Sequence, residues 1–365
     1  MKIEIITEKL LTLLTKAGRL TSKHLSLPIL SHVLLSAKSG TLTVRATNLE
    51  MGIECFAPAK VGREGELTTP SAVLLSFISN LRNVKSITME LKDGKLLVGG
   101  GNTKSLMHTG SPDDFPTVPK AEGEGSSADP RALLAGFKAV HYAGAVGNLK
   151  PELGSVYLYQ ENGSLFFAAT DSFRLAEKQI PVKKELITEG ILVPIRNAAE
   201  FMRLLEEEKD EVTFRVGGGK LTLETPSMFV TSRLVEGTFP DYKQIIPKEQ
   251  TTEAVMLKED LATGLKVTSL FSDRFNQLNI QVLPGEKTLE LAARSAEAGE
   301  GSFAVSAALS GRDIKANFNH RYIQDCLAAI QGDSISMSWS GENKPLLISG
   351  VGDRSFRYIV MPMNR

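Results

Sequence analysis

The sequence predicts an α+β protein built from three tandem copies of one domain, each with helices packed on antiparallel sheets. Three observations predict it. The stretch GSLFFAATDSFRLA at 163–176 has relatives at 40–53, GTLTVRATNLEMGI, and at 287–299, KTLELAARSAEAG. Successive copies lie about 123 residues apart, and self-similarity at a fixed period marks a repeated structural unit. Each copy alternates apolar and polar residues before a break (Leu42, Val44, Ala46; Leu165, Phe167, Ala169; Leu289, Leu291, Ala293), the pattern of a strand with one buried face. Finally, 365 residues exceed one ordinary core and fit two or three domains of roughly 100 to 150 residues. The repeat selects three domains, at 1–125, 126–248 and 249–365.

The elements follow in order. In repeat one, Thr7 as a cap and an early Glu8 precede Leu10, Leu11, Leu13, Leu14 and Ala17 at helical spacing, and Gly18 breaks the pattern. Residues 26–37 form an extended run that Pro28 opens, and the Lys38-Ser39-Gly40 turn folds it into a hairpin with the repeated strand. Residues 72–81 form a second helix; a strand at 87–91, the Lys92-Asp93-Gly94 turn and a strand at 95–98 follow. Repeat two restarts with Pro130 in the first turn of a helix carrying Leu133, Leu134, Phe137 and Val140, and its second helix spans 195–205. Repeat three has its helices from Leu261 and at 319–330. Each copy therefore holds two halves of one helix plus strands. Linkers fall at 120–127, KAEGEGSS, and 247–252, PKEQTT, each after a Phe-Pro turn.

Composition narrows the function classes. Apolar content of 42% and charge of 23% suit domains that bury a core without metals or disulfide staples. Cys55 and Cys326 lie in different repeats, with neither a metal spacing nor a disulfide framework, which favours a reducing, cytoplasmic location. Glu4, Glu8 and Lys9 interrupt the first segment, so it is expected to be neither a signal peptide nor a membrane span. The run from Gly99 to Ser105 lacks a glycine directly before Lys104 and sits between strands, so it is a hairpin bend and not a phosphate loop. His24, His32, His108, His141 and His320 show no metal spacing or nucleophile partner. No catalytic constellation, cofactor or metal is expected.

Charge is the informative feature. Forty-two basic residues balance 42 acidic ones, which argues against tight static binding of nucleic acid. Yet the first helix of every repeat carries bases at helical spacing: Lys9, Lys16 and Arg19; Arg131, Lys138 and His141; Lys258 and Lys266. Recurrence across repeats points to a shared basic surface facing a polyanion, contacting phosphates without reading bases.

The three copies, the ATDxxRLA element at 169–176, the Phe239-Pro240-Asp241-Tyr242 turn and the terminal Val360-Met361-Pro362-Met363 together resemble the bacterial DNA polymerase III beta subunit family, the sliding clamps. The resemblance spans essentially the whole chain. It implies a non-catalytic processivity factor: a head-to-tail homodimer of six domains closed around duplex DNA, with helices lining the hole. Implied partners are the replicative polymerase, the clamp loader, repair polymerases and other proteins carrying a clamp-binding motif, with no membrane.

Carried over by position, the resemblance implies a peptide pocket between domains two and three. It would be formed by Leu153, Thr170, Ser172, Phe173, Arg174, Leu175, Pro240, Ile245, Asn319, Tyr322, Val360, Met361, Pro362 and Met363. The family commonly has Gly-His where this chain has Ser172-Phe173, and a basic residue is frequent where it has Gln244, so a more apolar peptide is expected. DNA contacts are expected at His24, Lys150 and Arg196. The subunit interface is expected at the strand 105–108, including Met107, and at Leu270 and Phe271.

Overall fold

The computed structural model describes every residue except 23–25, 82, 148–149, 248 and 364–365. The expected His24 contact lies outside the described residues. Repeat one comprises β1 (Lys2–Ile6), α1 (Thr7–Gly18), β2 (His32–Lys38), β3 (Thr41–Thr47), β4 (Met51–Pro58), β5 (Lys60–Arg63), β6 (Gly65–Pro70), α2 (Ser71–Ser79), β7 (Ser86–Lys92), β8 (Lys95–Gly100) and β9 (Thr103–His108). Repeat two comprises β10 (Ser126–Ala128), α3 (Pro130–Val140), β11 (Ser155–Glu161), β12 (Ser164–Thr170), β13 (Arg174–Pro181), β14 (Ile191–Pro194), α4 (Ile195–Leu205), β15 (Val212–Gly217), β16 (Lys220–Thr225) and β17 (Met228–Arg233). Repeat three comprises β18 (Thr252–Leu257), α5 (Lys258–Thr268), β19 (Gln277–Leu283), β20 (Thr288–Ser295), β21 (Gly299–Ala304), β22 (Ala307–Gly311), β23 (Ile314–Asn319), α6 (His320–Cys326), β24 (Ser334–Trp339), β25 (Leu346–Gly350) and β26 (Phe356–Val360).

The repeated stretch becomes β3, β12 and β20, and its alternating residues Leu42, Val44, Ala46, Leu165, Phe167, Ala169, Leu289, Leu291 and Ala293 are all buried. Period-two patterning sets this, because successive side chains in a strand point to opposite faces. Tight hairpins keep the strands adjacent: at Ser39-Gly40 and Asn162-Gly163 both central residues have positive φ, the turn whose twist matches the flanking strands.

Two compact units form. The first, residues 1–130 and 203–234, contains a five-stranded sheet, β5-β1-β7-β8-β9, and an eight-stranded one, β10-β15-β16-β17-β4-β3-β2-β6. The second, residues 131–202 and 235–365, contains a nine-stranded sheet, β14-β11-β12-β13-β26-β25-β24-β18-β22, and a four-stranded one, β21-β20-β19-β23. Each larger sheet fuses half of one repeat to half of the next, through β4 with β17 (Met51↔Ser232) and β13 with β26 (Arg174↔Val360). The units therefore cut through repeat two, whose halves belong to different sheets.

Some local expectations change. Thr7 does not cap α1: Ile6 holds that place, and the Thr7 hydroxyl donates to the Val84 carbonyl at 2.5 Å. Helix α6 stops at Cys326 and the chain continues in turns; its cap is Asn319, whose side chain accepts from the Arg321 N–H. Pro28 opens a 3-10 turn, Pro28–Ser31, before the strand begins at His32. Among the described residues no helix is long and apolar enough to cross a membrane.

Candidate functional site

The site grows from the turn between β12 and β13. The Thr170 hydroxyl donates to the Arg174 carbonyl (2.6 Å) and accepts from the Ser172 N–H (3.1 Å). One Asp171 carboxylate oxygen accepts from the N–H groups of Phe173 (2.9 Å) and Arg174 (3.0 Å). Ser172 is thereby held at φ +77°, a conformation that L side chains rarely adopt and glycine adopts freely. Repeat one carries the same turn at Thr47–Met51: Thr47 bonds the Met51 carbonyl (2.7 Å) and the Leu49 N–H (3.0 Å), Asn48 accepts from Glu50 and Met51, and Leu49 sits at φ +74°.

Arg174 is fixed from several sides. Its Nε donates to Asp171 (2.9 Å), its terminal nitrogen to Asp325 on α6 (2.5 Å), and its guanidinium lies 4.5 Å from the Tyr322 ring centre. Burial works to lower its pKa, but the Tyr358 hydroxyl and the Asp325 and Asp171 carboxylates outweigh burial and hold it above its ordinary value. Arg174 is thus a permanently charged post, neutralised by its own neighbours.

On the other side, the segment after β17 folds back over the sheet. Phe239 and Tyr242 are buried with Ala168, Leu175, Leu192 and Ile359. Phe239 stacks on Tyr157 at 4.9 Å, and the Tyr242 hydroxyl donates to Glu177 at 2.6 Å. Burial first, and the Glu177 carboxylate second, push the Tyr242 pKa far above its usual range, so it remains a neutral donor.

Between turn and segment lies a cleft of about 210 Å³. Eight of the expected pocket residues line it: Leu153, Thr170, Ser172, Arg174, Leu175, Pro240, Ile245 and Met361. The other six stand around it. Val360 is buried and pairs with Arg174 in the sheet, while Tyr322 stacks on that guanidinium. Asn319 is engaged in capping α6. Phe173 is 62% exposed and its carbonyl accepts from the Met361 N–H (2.8 Å); beyond Pro362, the Met363 N–H donates to Asn317 (2.8 Å). Glu152, Asp241, Tyr242 and Ile359 also line the cleft, unanticipated from sequence; Lys150, expected at DNA, lines it too. Gln244 donates to Asp241 at 2.7 Å. Most of the accessible lining is apolar, with Leu153, Leu175, Pro240, Ile245, Ile359 and Met361 set among charged and polar side chains, which suits a short peptide with apolar anchors.

The basic helical surface is thinner than the sequence suggests. Lys16 is buried, with its ammonium 3.1 Å from Glu208 and 3.4 Å from Glu207, and Arg19 reaches Glu207 at 3.6 Å. Lys258 donates to the Ile330 carbonyl. Burial lowers the pKa of His141 and of His320, so both are neutral near pH 7. Lys9, Arg19, Arg131, Lys138, Arg196 and Lys266 remain exposed.

At the expected subunit interface, Leu270 is 70% exposed, and Phe271 packs so closely on β21 that a Cβ at Gly301 would lie 2.4 Å from its ring. Strand alternation turns Met107 inward, at 5% exposure, and leaves Leu106 outward at 56%. Leu106, not Met107, offers the apolar side chain of β9. Among the described residues no group of three His, Cys, Asp or Glu could hold a metal.

Family models for the N-terminal, central and C-terminal domains of the DNA polymerase III beta subunit match residues 1–119, 131–241 and 243–364. The chain is 28% identical over 371 residues to the beta sliding clamp of Synechococcus elongatus, covering 100% of this chain and 99% of that one. It is 26% identical over 369 residues to the beta sliding clamp of Escherichia coli strain K12, covering 100% of each. A solved structure of the DNA polymerase III subunit beta from Pseudomonas aeruginosa aligns over 100% of both chains, at 27% identity and a TM-score of 0.94.

Proposed function

This chain belongs to the DNA polymerase III beta subunit family, and from that premise we propose that it is a DNA sliding clamp, a non-catalytic processivity factor. Two copies close head to tail around duplex DNA, slide without reading sequence, and tether a polymerase through the cleft beside Arg174. The observation that carries this reading is the fusion of half-sheets. Strand β17 completes β4, and β26 completes β13. Their counterparts β9 and β21 each end a sheet. An unsatisfied strand edge is a template for pairing, and each edge is what the other needs.

The internal joints supply a register for this contact. Met107 occupies in β9 the place that Ser232 occupies in β17, since they pair with Leu96 and Leu221. Gly299 precedes the residue opposite Arg294, as Met51 and Arg174 precede those opposite Thr47 and Thr170. Gly299 of one copy therefore faces Met107 of the second, and Leu270 and Phe271 flank the joint. Each copy presents a different surface, so the contact is heterologous and closes as a two-fold ring.

Topological holding explains the balanced charge. A ring that encircles DNA needs few phosphate contacts, and strong ones would brake sliding. Arg196, Lys150 and His24 are the proposed contacts. The cleft would take short apolar motifs from the replicative polymerase, the clamp loader and repair polymerases. The test is retention on DNA: after loading by a clamp loader onto nicked circular DNA, the protein should stay bound through gel filtration at high salt and be lost when the circle is linearised. Its mass should be twice the 39.6 kDa chain. A monomer, or equal retention on linear DNA, overturns the ring.

A further inference from the structure

Repeats one and two each cover the outer face of a sheet with their own outgoing segment. In repeat one, Val118 presses on β4 so closely that a Cβ at Gly52 would lie 2.3 Å from it, and the Ala121 N–H donates to Thr222 at 2.8 Å. In repeat two, Phe239 and Tyr242 are buried against Leu175 and Ile359. The pairing registers identify the matching place in repeat three. Gly52 faces Thr47, Leu175 faces Thr170, and Glu300 faces Arg294. There the structure has an open groove of about 530 Å³, lined among others by Gln277, Asn279, Ala292, Arg294, Glu300 and Ser302. The glycine and leucine that meet a covering segment have become Glu300, and Thr170 has become Arg294.

The groove is linked to the cleft through hydrogen bonds. Met361 lines the cleft, and two residues later the Met363 N–H donates to the Asn317 carbonyl. The Asn317 side-chain oxygen accepts from Asn279 at 2.8 Å, and Asn279 is a wall of the groove. From β23, which carries Asn317, across β19 to β20 is two strand spacings, about 10 Å, or three to four extended residues.

We propose that this groove seats a polar, extended segment of a partner protein, adjoining the apolar motif that enters the cleft. The proposal rests on the cleft being a peptide site. The occupant follows from the fold itself, because the equivalent grooves hold an outgoing segment of chain. Its chemistry follows from the lining: amides, a hydroxyl and an Arg–Glu pair offer donors and acceptors to a peptide backbone and to polar side chains. The groove adds affinity and partner choice by tethering a second short contact to the first.

The test uses peptides selected on the protein itself. A pentapeptide taken from a random five-residue display library is extended at either end by eight random residues, reselected, and measured by fluorescence anisotropy. Extended peptides should bind at least tenfold more tightly than their parent. Ala292→Trp and, separately, Ser302→Trp should each remove that gain and leave the parent's affinity unchanged. No gain, or a gain that survives in both variants, overturns the groove. Ile245→Asp checks the cleft independently: parent binding that ignores this substitution removes the cleft reading, a different failure from the loss of the groove alone.

Discussion

At the scale of single residues, the turn at Thr170–Arg174 places a serine where the backbone favours glycine. Its twin at Thr47–Met51 places Leu49 there, at φ +74°. Because that turn is bonded through Thr47 and Asn48 and not through the Leu49 side chain, Leu49→Gly should relieve strain and stabilise the protein by about 0.5–1 kcal/mol, measured by urea unfolding. Destabilisation instead would mean that Leu49 packing outweighs the strain. The buried His320 and the half-buried His141 set a pH dependence. Burial lowers the pKa of His141 and His320, and in the unfolded chain each titrates near about 6.5. Their neutral forms favour the fold fully above that value, and the contribution is lost as pH falls toward the folded-state pKa. Thermal unfolding between pH 7.5 and 5.5 should show this loss, and the double variant His141→Phe, His320→Phe should blunt it; an unchanged slope would place the acid sensitivity elsewhere. Sequence alone did not reveal the turn, because Asn48-Leu49 and Asp171-Ser172 lack the glycine that usually announces positive φ.

Among the elements, α1 shows where a local pattern and a distant partner diverge. Its apolar stripe was legible from spacing, and Leu10 and Leu14 are fully buried as that spacing requires. Lys16 looked like part of a basic surface because its partner Glu208 lies 192 residues away. Lys16→Ala should cost about 3 kcal/mol by leaving a largely buried carboxylate unpaired, read as a lower urea midpoint. A change below about 0.5 kcal/mol, typical of an exposed pair, would show that water already satisfies Glu208. The cleft divides in the same way. Thr170, Arg174 and Leu175 stand out in the repeated stretch, whereas Ile359 reads as one more core residue of a strand, and only the folding back of the 239–245 segment makes it a wall.

For the whole molecule, the three-domain plan was legible because a period of about 123 residues needs no structure to be seen. That each middle strand is completed by the following repeat was not, since strand pairing leaves no local trace in sequence. The proposed ring uses the same pairing between chains, with Leu270 and Phe271 beside it. Leu270→Asp with Phe271→Asp should convert the dimer to monomers by light scattering, with thermal unfolding of each chain otherwise retained; a persistent dimer would discard this face. The fused sheets would also divide the seams of the proposed ring into two mechanical kinds. At β4–β17 and β13–β26 a separated ladder would still be bridged by continuous polypeptide, so such a breach would tend to reseal. At the proposed β9–β21 contact nothing covalent would span the gap, so this seam alone could part and stay open.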